Sequence, residues 1–118
     1  MMKVYGIPNC SSVKKAIEWL TANKIAFEFY DFKKTGITDV KLKEWTQQVD
    51  WQLLVNKKGT TWRGLHADVQ ASITTSKNAI TLMKQNTSVI KRPVIETENG
   101  LLVGFDAHTY AQKFTVNK

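Results

Sequence analysis

The chemistry available to this chain centres on one sulfur, the thiol of Cys10, the only cysteine of the sequence. It falls between Val4-Tyr5-Gly6-Ile7-Pro8-Asn9 and Ser11-Ser12-Val13-Lys14-Lys15-Ala16, which read as a short strand, a tight turn and an amphipathic helix. A thiol at a helix start lies among unpaired backbone N–H groups, at the positive end of the macrodipole, where an anion is favoured. These conditions lower a thiol pKa and make the thiolate a nucleophile. The ordinary alternative is a small buried hydrophobe, the usual behaviour of a free cysteine. A lone cysteine forms no internal disulfide, so any redox chemistry is monothiol and the resolving thiol must come from another molecule.

Several polar neighbours have chemistry to offer. Arg63 follows Trp62 between Gly59 and Gly64, which reads as a loop. Its guanidinium suits a bidentate grip on a carboxylate or oxyanion while its charge lowers the Cys10 pKa; a salt bridge among neighbouring helices is the alternative. Ser11 and Ser12 can donate hydroxyls, although capping the helix explains either one. Asn9 suits the turn or a hydrogen bond to the thiolate. Lys14 in the first turn opposes the dipole by a few tenths of a kcal/mol, a misfit that makes sense if it faces an anion or the thiolate. Two isolated histidines, His66 and His108, read as surface or capping residues, and with one cysteine at these spacings they make no metal site.

The elements that must position these groups follow from periodicity. Val13, Ala16, Ile17 and Leu20 fall at i, i+3, i+4 and i+7, one apolar helical face, with Asn23 as a stop. Aromatic enrichment from Ala26 to Phe32 favours a second strand, and strands bracketing a helix form a parallel, right-handed βαβ unit. Lys33 to Asp39 reads as a loop with Gly36 as its turn residue and Thr38 as the cap of a helix carrying Leu42, Trp45 and Val49. A short turn from Trp51 to Val55 and helices over Ala67–Ile73 and Ser76–Gln85 complete a helical lobe. Val94-Ile95-Glu96-Thr97 and Leu101-Leu102-Val103 flank Asn99-Gly100, a hairpin signal. Asp106 can cap a last helix whose Tyr110 and Phe114 share a face. The expected class is α/β, ordered βαβ, helical lobe, ββα, over residues 1–118 as one domain, with the insertion spanning about residues 35–88.

Length and composition fit one globular core. No stretch approaches the length of a membrane helix, no signal peptide is recognisable, and the cysteine count fits a reducing compartment, so the expectation is a cytoplasmic monomer. The net charge of +7 invites a nucleic-acid reading. Yet only Lys14-Lys15, Lys33-Lys34, Lys57-Lys58 and Lys91-Arg92 are adjacent, and no motif reads as a groove-binding helix. Most of these lysines read as a solvated surface, one that can suit anionic ligands, and nucleic-acid binding is not expected.

A βα start with cysteine at the turn and a later ββα unit outline a thioredoxin-like domain. With the helical insertion, the chain resembles the glutaredoxin-type arsenate reductase (ArsC) family, which includes the Spx regulators, and within it the YffB-like branch. The residues that carry the likeness are Tyr5 to Cys10, Lys14 to Ala16, Arg63 in Gly59 to Arg63, Ile90 to Pro93, and Leu101 to Phe105. The resemblance implies a Cys10 nucleophile, a cis-proline at Pro93 opposite it, and Arg92 aimed at substrate, whereas composition alone makes Arg92 a surface residue. It implies a glutathione-dependent thiol reductase, with glutathione as co-substrate and no bound cofactor, acting on a small or protein-bound disulfide. Arg63 and Arg92 match two of the three arginines that arsenate reductases place around cysteine; Phe105 stands where the third belongs, which argues against arsenate. Spx-like binding to RNA polymerase is the alternative, without the Cys-x-x-Cys switch, since Val13 occupies the second position.

Overall fold

Val4 and Tyr5 point to opposite faces of the first strand, and that alternation divides the core in two. The structure, a computed structural model, describes residues 2–114. Strand β1 (Met2–Gly6) leads through a turn at Pro8 and Asn9 into helix α1 (Ser11–Ala22), and β2 (Phe27–Asp31) follows. Six helical segments come next: α2 (Phe32–Thr35), α3 (Asp39–Gln48), α4 (Trp51–Leu54), α5 (Thr60–Arg63), α6 (Ala67–Ser72) and α7 (Ser76–Gln85). A 3-10 turn (Thr87–Val89), the hairpin β3 (Val94–Thr97) and β4 (Gly100–Val103), and helix α8 (Ala107–Lys113) close the described chain.

The sheet order is β2-β1-β3-β4, with β1 parallel to β2 and antiparallel to β3, and β3 antiparallel to β4. This is the expected βαβ…ββα arrangement. On one face Val4, Ile95 and Leu102 pack with Ala16 and Leu20 of α1 and with Tyr110 and Phe114. On the other, Tyr5 and Val94 pack under the lobe with Leu42, Trp45, Leu54 and Met83. An isolated antiparallel bridge, Val55↔Ile90, ties the lobe to the approach to β3.

Three local expectations are corrected. The loop expected from Lys33 begins later, because the Asp31 carboxylate accepts from the Lys33 N–H at 2.8 Å and caps α2, whose Phe32 is buried beside Trp45. Arg63 lies at the end of the one-turn helix α5, with Gly59 and Gly64 as its two caps, instead of in a loop. In the hairpin Thr97 pairs with Gly100, so Glu98 and Asn99 make the turn, and Gly100, at φ +124°, takes the strand position that an L side chain disfavours.

One polar cluster joins lobe to sheet. The Glu96 carboxylate accepts from Trp45 Nε1 at 2.8 Å and pairs with Lys41 Nζ at 3.0 Å, and Tyr5 donates to it at 3.3 Å. Burial opposes ionisation of Glu96, but hydrogen bonds from Trp45 and Lys41 prevail and hold its pKa below the usual carboxylate range. Tyr5 is pushed up to about 12 by burial, then by the Glu96 charge. Leaving the Trp45 indole N–H unpaired here would cost about 1–3 kcal/mol.

Candidate active site

The turn after β1 delivers Cys10 to the N-cap of α1, in extended conformation with φ −129° and ψ 125°. Close packing fixes that turn: a Cβ on Gly6 would stand 2.8 Å from Val13 Cγ2, so strand and helix approach only with glycine there. At an N-cap a side-chain acceptor ordinarily takes the N–H groups two and three positions on. For Cys10 these belong to Ser12 and Val13. The thiol makes no capping hydrogen bond, and neither serine caps, correcting the expectation that one would: Ser11 and Ser12 already lie inside the first turn.

The ionised sulfur is well served. Burial opposes ionisation and is the largest influence on Cys10; against it act the Val13 N–H, the Arg92 guanidinium and the Ser12 N–H, which favour the thiolate as donors, and the Arg92 charge. Together they hold the thiol pKa below its ordinary value. Arg92 is itself fixed, with Nη1 donating to the carbonyls of Ser88 at 2.9 Å and Ile90 at 3.3 Å. Its Nε is buried with no partner in hydrogen-bond geometry, so at that atom the influence on Cys10 is mainly that of charge.

The Arg92–Pro93 peptide is cis. The Pro93 carbonyl accepts from the Gly104 N–H at 2.8 Å, and Tyr110 donates to the Gly104 carbonyl at 2.7 Å. Gly104 has φ +83°, a conformation that suits glycine. The β4–α8 turn thus holds the segment carrying Arg92 from behind.

The structure brings Cys10, the first-turn amides of α1 and Arg92 together, with Pro93 the next residue after Arg92. Arg63 stands apart from this group in its contacts, exposed at the end of α5, although α5 itself packs on the 3-10 turn that anchors Arg92. Asn9 is exposed in the turn, and its side chain makes no hydrogen bond among the described residues. Lys14 is exposed, its N–H bonded to the Cys10 carbonyl at 2.9 Å. His66 caps α6 by accepting from the Asp68 N–H, and His108 is exposed. Two recesses of about 510 Å³ each lie away from Cys10, one lined by Lys3, Ile25, Glu96 and Asn99, the other between α3 and α7. Sequence reasoning missed the Val13 N–H and the Ser88 and Ile90 carbonyls, because backbone groups leave no mark in residue type. Placing Cys10 at the N-cap would have found the first.

Sheet order, helix placement and the cis-proline just before β3 define a thioredoxin-like fold. The model of the ArsC family matches residues 5–113, and the chain belongs to the ArsC family. It is similar to an uncharacterised protein of Haemophilus influenzae, 37% identical over 114 residues that span 97% of this chain and 99% of that protein. Among solved structures it resembles a YffB protein, at 38% identity and a TM-score of 0.89 over 95% of this chain and 97% of that one. An arsenate reductase (ArsC) related protein from Brucella melitensis is 37% identical, with a TM-score of 0.76 over 98% of this chain and 95% of that one. A global transcriptional regulator Spx of Lactococcus lactis is 27% identical over 90% of this chain and 80% of its own length. No helix among the described residues is long and apolar enough to cross a membrane.

Proposed function

We propose that this chain is a cytoplasmic monothiol oxidoreductase that uses glutathione to reduce mixed disulfides, with Cys10 as nucleophile. The observation that carries the reading is the place of Cys10 at the N-cap of α1, where the Val13 and Ser12 amides and the Arg92 guanidinium lower the pKa of its thiol. The Cys10 thiolate attacks the glutathione sulfur of a substrate disulfide. A Cys10–glutathione disulfide forms, the substrate S–S bond breaks, and the substrate sulfur leaves as a thiolate that takes a proton from water. A second glutathione, as thiolate, then attacks the bound glutathione sulfur, regenerating the Cys10 thiolate and releasing oxidised glutathione. Each turnover consumes one free glutathione: the disulfide bond passes from the substrate to Cys10 and then to oxidised glutathione, and the substrate sulfur is left reduced.

In this reading Arg92 stabilises the thiolate as attacker and again as leaving group, and the backbone beside Pro93 receives the bound glutathione. Asn9, Ser11, Ser12 and Lys14, next to Cys10 in the chain, flank the approach and offer donors to its carboxylates, whereas Arg63 stands apart. Arsenate ranks lower as substrate. Phe105, where the resemblance would require a third arginine, packs edge-on against Tyr110 with ring centroids 5.0 Å apart and is committed to the core. Sustained glutathione-coupled turnover of arsenate would reverse that ranking.

A second reading, a transcriptional regulator that binds RNA polymerase, is favoured by the likeness to the Spx protein. Purified polymerase that retains none of this chain on a size-exclusion column would contradict it. The leading reading is tested by intact-mass spectrometry after incubation with oxidised glutathione. Wild type is expected to gain one glutathionyl group and Cys10→Ser none; an unmodified wild-type mass contradicts it.

A further inference from the structure

Every adjacent pair of basic residues in the sequence lies on a segment that begins, ends or is anchored at the Cys10 end of the sheet. Lys14 and Lys15 lie in the first turns of α1, which starts at that end of the sheet. Strand β2 runs parallel to β1, with Asp31 beside Gly6, so Lys33 and Lys34 of α2 emerge at the same end. β3 runs the opposite way and starts beside Tyr5, so Lys91 and Arg92 lead into it there. Lys57 and Lys58 follow Asn56, whose N–H bonds the Val89 carbonyl at 2.8 Å, next to the turn that anchors Arg92.

These charges form no ion pairs among the described residues. All but Arg92 are exposed. Lys57 lies over the rings of Trp51 and Trp62, 5.8 and 5.4 Å from their centroids, and the Lys91 stem lies against Gly104. Of the carboxylates nearby, Asp31 caps by accepting from the Lys33 N–H and Asp106 by accepting from the His108 N–H and the Thr109 hydroxyl, while Glu18 lies one turn beyond Lys14 on α1 without pairing with Lys14 or Lys15. At the opposite end of the sheet stand Glu28 and Glu96, both level with Lys3, and Glu98 in the hairpin turn.

We propose that the Cys10 end of the sheet is a docking surface for an acidic polypeptide, whose glutathionylated cysteine is the substrate disulfide. The inference rests on the monothiol reading above and names its substrate class. Two strand spacings separate β2 from β3, about 10 Å, and α1 and the lobe add a layer of about 10 Å on either face. An extended tripeptide reaches only about 10 Å, so glutathione alone leaves most of these cations unmatched. Nucleic acid fits the charge but brings no sulfur to the thiol at its centre. A cation-rich rim of this kind steers an acidic partner and orients its cysteine.

The test uses the full chain, glutathione and three peptides, each with one glutathionylated cysteine flanked by acidic, neutral or basic residues. The acidic peptide is expected to exceed the basic one about tenfold in kcat/KM at low salt. That advantage should shrink as salt rises from about 0.02 to 0.3 M, where the Debye length falls below about 10 Å. The combined variant Lys15→Gln, Lys33→Gln, Lys34→Gln, Lys58→Gln should lose the preference and keep the wild-type rate on the glutathione–cysteine disulfide. Equal rates for acidic and basic peptides, or a preference unchanged in the variant, overturn the proposal. Binding of the same peptides with serine in place of cysteine, read by fluorescence anisotropy, reports on the surface alone. Acidic binding without any Cys10 turnover sinks the monothiol reading and keeps the surface. Tighter binding of a single-stranded oligonucleotide than of the acidic peptide assigns the surface to nucleic acid and overturns the proposal.

Discussion

Arg92 donates through Nη1 to the carbonyl of Ser88 at 2.9 Å, and this bond fixes beside Cys10 the one guanidinium that acts on its sulfur. The anchoring carbonyl belongs to the 3-10 turn between lobe and sheet, so the insertion helps place a charge at the thiol. A long side chain held at one end loses less freedom on meeting a thiolate than a free surface arginine does.

Arg92→Gln is therefore expected to raise the Cys10 pKa, removing a charge and a donor while leaving the α1 amides in place. At neutral pH the thiolate fraction falls with it. Ultraviolet thiolate absorbance followed through a pH titration measures this directly. An unchanged midpoint would show that the α1 amides alone depress the pKa.

Cys10→Ser is expected to abolish glutathionylation yet stabilise the fold. Serine caps helices well, whereas the Cys10 thiol makes no capping bond, so a gain of about 0.5–1 kcal/mol should raise Tm by a few degrees at pH 6. The advantage narrows with rising pH. Because the folded pKa of Cys10 is lowered, its thiolate adds stability that is complete above the unfolded value of about 8.5 and absent below the folded one. Thermal denaturation of both proteins across pH 6 to about 9.5 checks the convergence; a serine variant less stable at pH 6 contradicts the capping argument.

How far the sequence carries the reader depends on the range of the interaction. Helices α1 and α7 were legible because Val13, Ala16 and Leu20, and Ala79, Leu82 and Met83, repeat at helical spacing and are buried. Thr38 and Asp106 were legible as caps, since a cap is a local bond. Cys10 itself was found, but its role as N-cap was assigned to its serine neighbours, because capping preference ranks serine far above cysteine. Flanking glycines bound a single helical turn as readily as a loop, so residue types alone do not put Arg63 on α5. Asn99-Gly100 is a strong turn pair, yet the pairing of Thr97 with Gly100 sets the register and moves the turn one residue earlier. Nothing local announces that Glu96 will meet Trp45 and Lys41, 51 and 55 residues away in sequence, or that Arg92 will find the Ser88 carbonyl.

Glu96→Gln should flatten the acid limb of the stability curve. The folded pKa of Glu96 lies below its unfolded value, so the folded protein binds fewer protons there. The carboxylate's contribution is complete above the unfolded value of about 4.3 and is lost as pH falls through the folded value. Chemical denaturation midpoints between pH about 2.5 and 6 should fall steeply with acid in wild type and less so in the variant. Parallel curves would remove Glu96 from this role.

Tyr110→Phe removes the donor to the buried Gly104 carbonyl and is expected to destabilise by about 1–3 kcal/mol. The Gly104 N–H in turn holds the Pro93 carbonyl, so the loss should spread toward Arg92. Amide exchange at Gly104 should quicken more than exchange in β2, and equal acceleration in both would reduce the effect to global destabilisation.

The central claim is that Cys10 is a preactivated thiolate, and the pH dependence of its alkylation by iodoacetamide tests it most directly. The rate is expected to rise with a midpoint clearly below about 8.5, the value for a free cysteine, and to be absent in Cys10→Ser. A midpoint at or above that value would make Cys10 an ordinary thiol and contradict the account.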